Sequence, residues 1–225
     1  MLKPPTLGPR LSALLTDIIE LQTVNNYDVI WDCCCDHGYL GLNLRYQEIA
    51  RQLVFVDLIP TLIEQVEQRI EKYEATGCLA ITADVGKLEF NPEQKHLVII
   101  AGIGGENIAV ILEAIRQKRG FSNMDFIFCP TTTQYHLRSY LAKNGFISVT
   151  EKLVTESNRD YEIIGTRQDI NGPPISPTGT FWDPQQPAHR RYLTKLIRHY
   201  NNQNREDPSN EKRLIAEAYS RQLDE

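Results

Sequence analysis

YDVIWDCCCDHGYL, residues 27–40, decides how the chain is read. Val29-Ile30-Trp31 is a short apolar run closing on Asp32. Three cysteines and Asp36-His37-Gly38 follow, and then a segment of helical character. Buried strand, tight turn and helix in that order make a place where nucleotide-type cofactors bind, because the first turn of the helix faces the ligand. The turn departs from a phosphate-binding loop, however, with cysteines and an aspartate where such a loop uses glycines.

Outward from this stretch the pattern repeats. Upstream, Leu11, Leu14, Leu15, Ile18 and Ile19 give residues 10–22 one helical face, and Asn25-Asn26 interrupts it. Downstream, Gly38 to Ala50 reads as a helix, Leu53 to Val56 as a second buried strand closing on Asp57, and Pro60 as the first turn of another helix. Cys78 to Thr82 and His96 to Ala101 read as strands, the latter followed at once by Gly102-Ile103-Gly104-Gly105. A helix marked by Ile108, Ile111, Leu112 and Ile115, a strand from Asp125 to Cys129 and a helix from Thr133 to Asn144 come next. Phe146 to Val154 and Tyr161 to Thr166 close the series with no helix between them. Alternating strands and helices imply a mainly parallel sheet covered on both faces. The closing pair implies an antiparallel edge, the ending typical of the methyltransferase variant of the Rossmann-like fold.

After Thr166 the composition changes. Asn171 to Pro177, NGPPISP, reads as a linker. Leu193, Leu196, Ile197 and Tyr200 form one helical stripe. Residues 207–210, DPSN, read as a turn, and Leu214, Ile215, Ala218 and Tyr219 form a second stripe. We therefore expect a sheet domain over residues 1–166 and a linker with a helical hairpin over 167–225.

The 225 residues carry a net charge of −5, with 41% apolar and 24% charged residues, ordinary values for a globular protein. No apolar run approaches the ~20 residues of a membrane span. MLKPPTLGPR lacks the apolar core of a secretory signal, so a cytoplasmic protein without a membrane partner is expected. Five cysteines, three of them adjacent, do not suit a disulfide framework, and adjacent side chains on a strand point apart, so no metal site is expected. The cysteines are expected to be small buried fillers. Net acidity excludes a non-specific nucleic-acid coat, yet Ala188 to Arg205 holds Arg190, Arg191, Lys195, Arg198 and Arg205 with no acid. Such a face can grip a phosphate backbone; a solvated helix surface is the alternative.

In an open parallel sheet ligands bind beyond the carboxyl ends of the strands. There this sequence puts Asp32, Asp57, Asp84 and the Ala101–Gly105 turn. Asp57, one strand-helix-strand unit after Asp32, suits both ribose hydroxyls of a nucleoside, and Asp84 suits an adenine amino group. A pyrophosphate needs close backbone approach, which Cys34 obstructs, and Asp36 would repel it. A ligand with ribose, adenine and a cationic sulfonium but no phosphate fits better, and S-adenosylmethionine is that molecule. One acid at a strand end is often only a cap; three in succession favour a shared ligand. His37 either hydrogen-bonds the turn or positions a base, and GIGG either eases packing or clears room for a ligand.

Several segments together resemble one family. DCCCDHGYL (32–40) resembles the D-x-G-x-D-H-[AG]-Y-L segment of the bacterial tRNA (adenine-N1)-methyltransferases called TrmK. IIAGIGGENI (99–108), FCPTTTQYHLRSYLAKNGF (128–146) and YEIIG (161–165) resemble its A-G-M-G-G, Q-P-N…L-R-x-W-L…N-G-[WF] and Y-E-I stretches in order, and RLSALLTDI (10–18) its opening. The resemblance spans most of residues 9–166. It implies a Rossmann-like S-adenosylmethionine-dependent methyltransferase domain with a seven-stranded, mainly parallel sheet, and methylation of N1 of adenine 22 in tRNA. By position it implies that Asp32, Asp36, His37 and Gly38 line the cofactor entrance, that Asp57 holds the ribose and Asp84 lies near the adenine. Ala101, Gly102 and Gly104 would then flank the sulfonium. Asp36, His37 and Thr131 are the candidate catalytic residues, and Tyr39 with Arg190, Arg191, Lys195 and Arg198 the candidate tRNA contacts. A monomer or weak homodimer is expected. Two positions depart from the family: Cys34 replaces a glycine, and Cys129-Pro130-Thr131 replaces Q-P-N. Another RNA, DNA or small-molecule substrate, or a non-catalytic binding module, stays open at this point.

Overall fold

The computed structural model describes residues 1–206 and 210–224, so the turn expected at 207–210 falls largely outside the described residues. Its elements are, in order, α1 (Pro9–Asn25), β1 (Val29–Cys33), α2 (Tyr39–Tyr46), β2 (Gln52–Asp57), α3 (Pro60–Lys72), β3 (Cys78–Thr82), a short 3-10 turn (Val85–Lys87), β4 (His96–Ala101), α4 (Gly105–Arg119), β5 (Met124–Cys129), α5 (Gln134–Lys143), β6 (Phe146–Glu156), β7 (Arg159–Gln168), α6 (Pro187–Glu206) and α7 (Asn210–Asp224).

The seven strands lie in the order β3-β2-β1-β4-β5-β7-β6. β1 to β5 are parallel and β7 runs antiparallel to both β5 and β6. The expected architecture, a mainly parallel sheet with an antiparallel edge and a C-terminal helical pair, is the one observed. Because β2 and β4 sit on opposite sides of β1, the chain reverses direction there. The crevice at that reversal is where open α/β sheets bind ligands.

Alternation along the strands sorts the core into two layers. Val29, Trp31 and Cys33 face one side with Val98, Ile100, Phe126 and Phe128, beneath Ile108 and Leu112 of α4 and Leu137 of α5. Ile30 faces the other with Phe55, Leu97, Ile99 and Ile127, beneath Leu14 and Ile18 of α1, Leu42 of α2 and Val66 of α3. Central parallel strands are buried on both faces, which is why they read as unbroken apolar runs. Several boundaries differ from expectation: β6 and β7 extend to Glu156 and from Arg159 to Gln168, and two helix ends shift. α1 continues to Asn25 and ends on left-handed Asn26, whose N–H reaches the Gln22 carbonyl. α2 stops at Tyr46, well before Ala50, because the chain turns through Glu48 at φ 56°.

Residues 169–186 contain no helix or strand, as their prolines require. They are nevertheless held down: Ile175 and Thr178 are buried. α6 and α7 pack through Leu193, Ile215 and Tyr219, whereas Leu214 points outward. Tyr135 of α5 meets Tyr200 and Tyr219 edge-on. Beneath this contact the wholly buried Arg138 donates from Nε to Glu162 at 2.7 Å and lies 2.8 Å from Glu151. It also donates to the Ser176 carbonyl at 3.3 Å, and Tyr192 of α6 donates to Glu162 at 2.8 Å. A buried guanidinium surrounded this way is costly to leave half-paired, so the network fixes the helical pair against the sheet.

Candidate active site

The turn after β1 is built on an unusual backbone. Cys34, Asp36 and Gly38 all have positive φ, at 56°, 49° and 68°. For a residue with a Cβ this region costs roughly 1–2 kcal/mol, so Cys34 occupies a glycine-type position at a price in stability. Asp57 holds the turn in place. Its Oδ2 accepts the Asp36 N–H at 3.3 Å and its Oδ1 the Ile59 N–H at 3.0 Å, so one carboxylate clamps the turns after both β1 and β2. The Cys35 N–H adds a bond to the Val56 carbonyl at 3.2 Å.

Asp32 lies within β1 rather than at its end. It is buried, and its carboxylate accepts the Gly41 N–H at 3.0 Å from the first turn of α2. Burial pushes its pKa up to about 7; the Gly41 bond opposes the rise and the Asp57 charge adds to it. Asp32 therefore ties down the first turn of α2 and also borders the cleft. The same holds for Asp84, which accepts the Gly86 N–H at 3.0 Å, sits 3.6 Å from Lys87 and still borders the cleft.

These elements enclose one cleft of about 810 Å³, inside the range of small-molecule sites. Of the expected cofactor and catalytic residues, Asp32, Asp36, His37, Asp57, Asp84, Ala101, Gly102 and Thr131 line it, and so does Tyr39. Gly38 and Gly104 do not. Gly38 starts α2, and Gly104 sits where a Cβ would lie 3.1 Å from Thr132 Oγ1. The GIGG turn divides its work between its glycines. Gly102, at φ 87°, faces open space; at Gly105 a Cβ would come within 2.5 Å of the Thr133 carbonyl, so glycine is what lets α4 and α5 approach. Asp36 and His37 are exposed at the rim, 3.7 Å apart. The His37 and Tyr39 rings are 5.7 Å apart, and the Arg69 guanidinium lies 5.3 Å from the Tyr39 ring.

The cysteines separate by position. Cys33 is a buried filler, as expected, but Cys34 and Cys35 are only partly buried and line the cleft. Burial, reinforced by Asp57 and Asp32, pushes the Cys34 thiol up to about 12. It is a neutral group at physiological pH and a poor nucleophile.

Other lining residues were not singled out as site residues in the sequence, although Arg10, Asn107 and Tyr161 lie within the segments that resemble the family. Leu58, Ile59 and Val110 are exposed apolar side chains on the cleft. Asn107 brings an amide from α4, and Arg10 and Tyr161 arrive from opposite ends of the sheet domain. The Arg10 guanidinium lies 5.0 Å from the Tyr161 ring and 3.6 Å from Glu156. An apolar residue following a strand-end acid was the available signal for Leu58; Arg10 and Tyr161 meet only through topology.

α6 begins against the β6–β7 hairpin. Arg191 donates to Asp160 at 2.6 Å, on the face of β7 opposite that of cleft-lining Tyr161. Arg191 is thus an anchor tied to the β6–β7 hairpin. Arg190, Lys195 and Arg198 are exposed, with Arg190 donating to the Pro184 carbonyl at 3.3 Å.

Sheet order, hairpin edge and an acid-lined cleft at the reversal of strand order define a Rossmann-like methyltransferase fold. The chain belongs to the methyltransferase domain family, whose model matches residues 11–164. It is similar to the tRNA (adenine(22)-N(1))-methyltransferase of Bacillus subtilis, 25% identical over 149 residues that cover 64% of this chain and 62% of that protein. The chain spans 62% and 66% of the lengths of the curated relatives it matches. In fold it is similar to the B. subtilis M1A22 tRNA methyltransferase TrmK, with TM-score 0.72, 18% identity and coverage of 97% and 96% of the two chains. It is also similar to M. capricolum TrmK solved with S-adenosyl-homocysteine, with TM-score 0.68, 20% identity and coverage of 93% and 94%. Among the described residues no helix is long and apolar enough to cross a membrane.

Proposed function

We propose that this chain is an S-adenosylmethionine-dependent methyltransferase acting on N1 of adenine 22 in tRNA. The observation that carries the reading is the cleft at the reversal of strand order, lined by Asp32, Asp36, Asp57 and Asp84 and lacking a glycine-rich phosphate turn. The donor set fits S-adenosylmethionine: carboxylates suit ribose hydroxyls and a sulfonium, and Asp36 disfavours pyrophosphate. The family match and the activity named for the B. subtilis relative support the same assignment.

When bound, S-adenosylmethionine supplies a methyl group carried on positively charged sulfur. Asp57 is the residue to hold the ribose, Asp84 the adenine edge, and the Ala101–Gly102 backbone the sulfonium side. N1 of a neutral adenine already presents a lone pair, so no general base is needed. The chain's task is to orient the base and exclude water. Methylation makes the base cationic, and Asp36 is placed at the rim to stabilise that charge. His37 and Tyr39 form an aromatic wall for a base displaced from its helix, and the Thr131 hydroxyl offers one hydrogen bond. Arg190, Lys195 and Arg198 contact tRNA phosphates, with Arg191 holding their helix to the β6–β7 hairpin. On this reading residues 1–166 are the catalytic domain and 167–225 the tRNA-binding extension of a cytoplasmic monomer or weak homodimer.

The test is to map N1-methyladenosine in tRNA from cells with and without the gene, and in unmodified tRNA treated with purified protein and S-adenosylmethionine. Loss and restoration of the mark at position 22 are expected. A mark at another nucleotide would replace the substrate assignment, the outcome that Thr131 in place of the family's asparagine would favour. Absence of S-adenosylmethionine binding in calorimetry would overturn the enzyme reading itself.

A further inference from the structure

At the opposite end of the strands lies a second cleft, of about 560 Å³, and its charge has the other sign. Lys95 before β4, Arg119 at the end of α4 and Arg167 near the end of β7 line it, with Asp125 the one acid on its wall. That acid is already engaged: its Oδ2 accepts the Tyr27 hydroxyl at 2.5 Å and lies 3.3 Å from Arg167 Nη2. A further carboxylate, Asp28, is turned to the backbone N–H of Lys95 at 2.9 Å. Among the described residues Arg119 and Lys95 have no carboxylate partner and donate to neutral oxygens. Arg119 donates to the Ser122 carbonyl at 2.8 Å and the Phe90 carbonyl at 3.4 Å, and Lys95 Nζ to the Asn25 carbonyl at 3.4 Å.

Carbonyls satisfy the geometry of a guanidinium without cancelling its charge. Arg167 Nε is buried with no hydrogen-bond partner, a donor left open in a cleft wall. Burial lowers the pKa of Arg119, with no carboxylate opposing it. Two cations without a carboxylate partner, and a third that is paired with Asp125 yet keeps an unused buried donor, make a concave site suited to a compact anion. Guanidinium forks favour phosphate oxygens in particular.

We infer that this cleft is a phosphate-binding site, separate from the acid-lined cleft, taking a phosphate monoester or diester. The phosphate belongs either to a small phosphorylated molecule or to an RNA. The volume admits more than bare phosphate, and Tyr27, Phe121 and Met124 supply apolar surface beside the cations.

Two-dimensional amide NMR of the full chain, titrated with inorganic phosphate against sodium chloride of equal ionic strength, tests the inference. Saturable shifts in the millimolar range confined to Lys95, residues 119–125 and Arg167–Gln168 are expected. Arg119→Gln should weaken phosphate binding several-fold while leaving S-adenosylmethionine affinity unchanged. The same variant assayed for tRNA binding separates the sources: weaker tRNA binding assigns the phosphate to RNA, and unchanged binding assigns it to a small phosphorylated molecule. Absence of saturable shifts, or shifts located in the acid-lined cleft instead, would overturn the inference. Because the titration is done on the unaltered protein, a poorly folding variant does not spoil the test.

Discussion

The two ends of the sheet carry opposite charge and are built by opposite means. At the carboxyl end, Asp57 and Asp32 are drawn inward to backbone N–H groups that they cap. At the amino end, Arg119 and Lys95 are turned to backbone carbonyls. In a parallel sheet N–H-rich helix starts gather at one end and carbonyl-rich helix ends at the other, so side chains of complementary charge settle at each. The local backbone thus chooses the sign of each cleft. What differs is the cost: the acids are more deeply buried, and Asp32 has to be protonated or paired to sit comfortably.

The strongest way to break this comparison is to remove the Asp57 clamp. Asp57→Ala frees two backbone donors and should lower stability by about 1–3 kcal/mol. By calorimetry it should weaken S-adenosylmethionine binding at least about a hundredfold, on the scale of a lost charged hydrogen-bond partner. Retained affinity would mean that Asp57 only shapes the turns. Asp32 gives a test by pH. Its folded pKa, about 7, lies above the unfolded value, so the folded state holds the proton more tightly. Stability from this group is therefore greatest below the unfolded value near 4 and is lost as pH rises towards and through about 7. Chemical denaturation of Asp32→Asn should show that slope removed. A cationic ligand favours the ionised acid, so S-adenosylmethionine affinity should rise several-fold from pH 6 to pH 8 (the neighbourhood of about 7), and stay flat in the variant.

Smaller effects sharpen the picture. Arg198→Ala or Lys195→Ala should raise the KM for tRNA a few-fold and flatten its salt dependence by about one phosphate contact, with S-adenosylmethionine affinity unchanged. Cys34→Gly removes a side chain from a left-handed position. Allowing for the looser unfolded chain, it should stabilise the protein by about 0.5–1 kcal/mol in thermal melts. It should also modestly raise cofactor affinity by widening the cleft; a fall in affinity would give the thiol a binding role.

The sheet was legible in the sequence because its signals are local. Apolar runs such as His96 to Ala101 end on turn residues, and Pro60 marks the start of α3. Strand-end acids were legible because chain order alone carries Asp32, Asp57 and Asp84 to one end of a parallel sheet. Arg10 and Tyr161 open segments that resemble the family but could not be read as cleft residues, since nothing local announces that α1 and β7 meet at the cleft mouth. The amino-end cleft is more hidden still: Lys95, Arg119 and Arg167 come from three elements and share no spacing. The cysteine triplet misled in part, because residue type says nothing about φ, and the positive φ of Cys34 is what turns that thiol toward the ligand space.

The Asp57 clamp has a kinetic side. With both turns already tied to one carboxylate, the floor of the cleft has its shape before any ligand arrives. These two turns need not order on entry, which removes one cause of slow association. Variants of the cleft should then differ chiefly in how long the ligand stays.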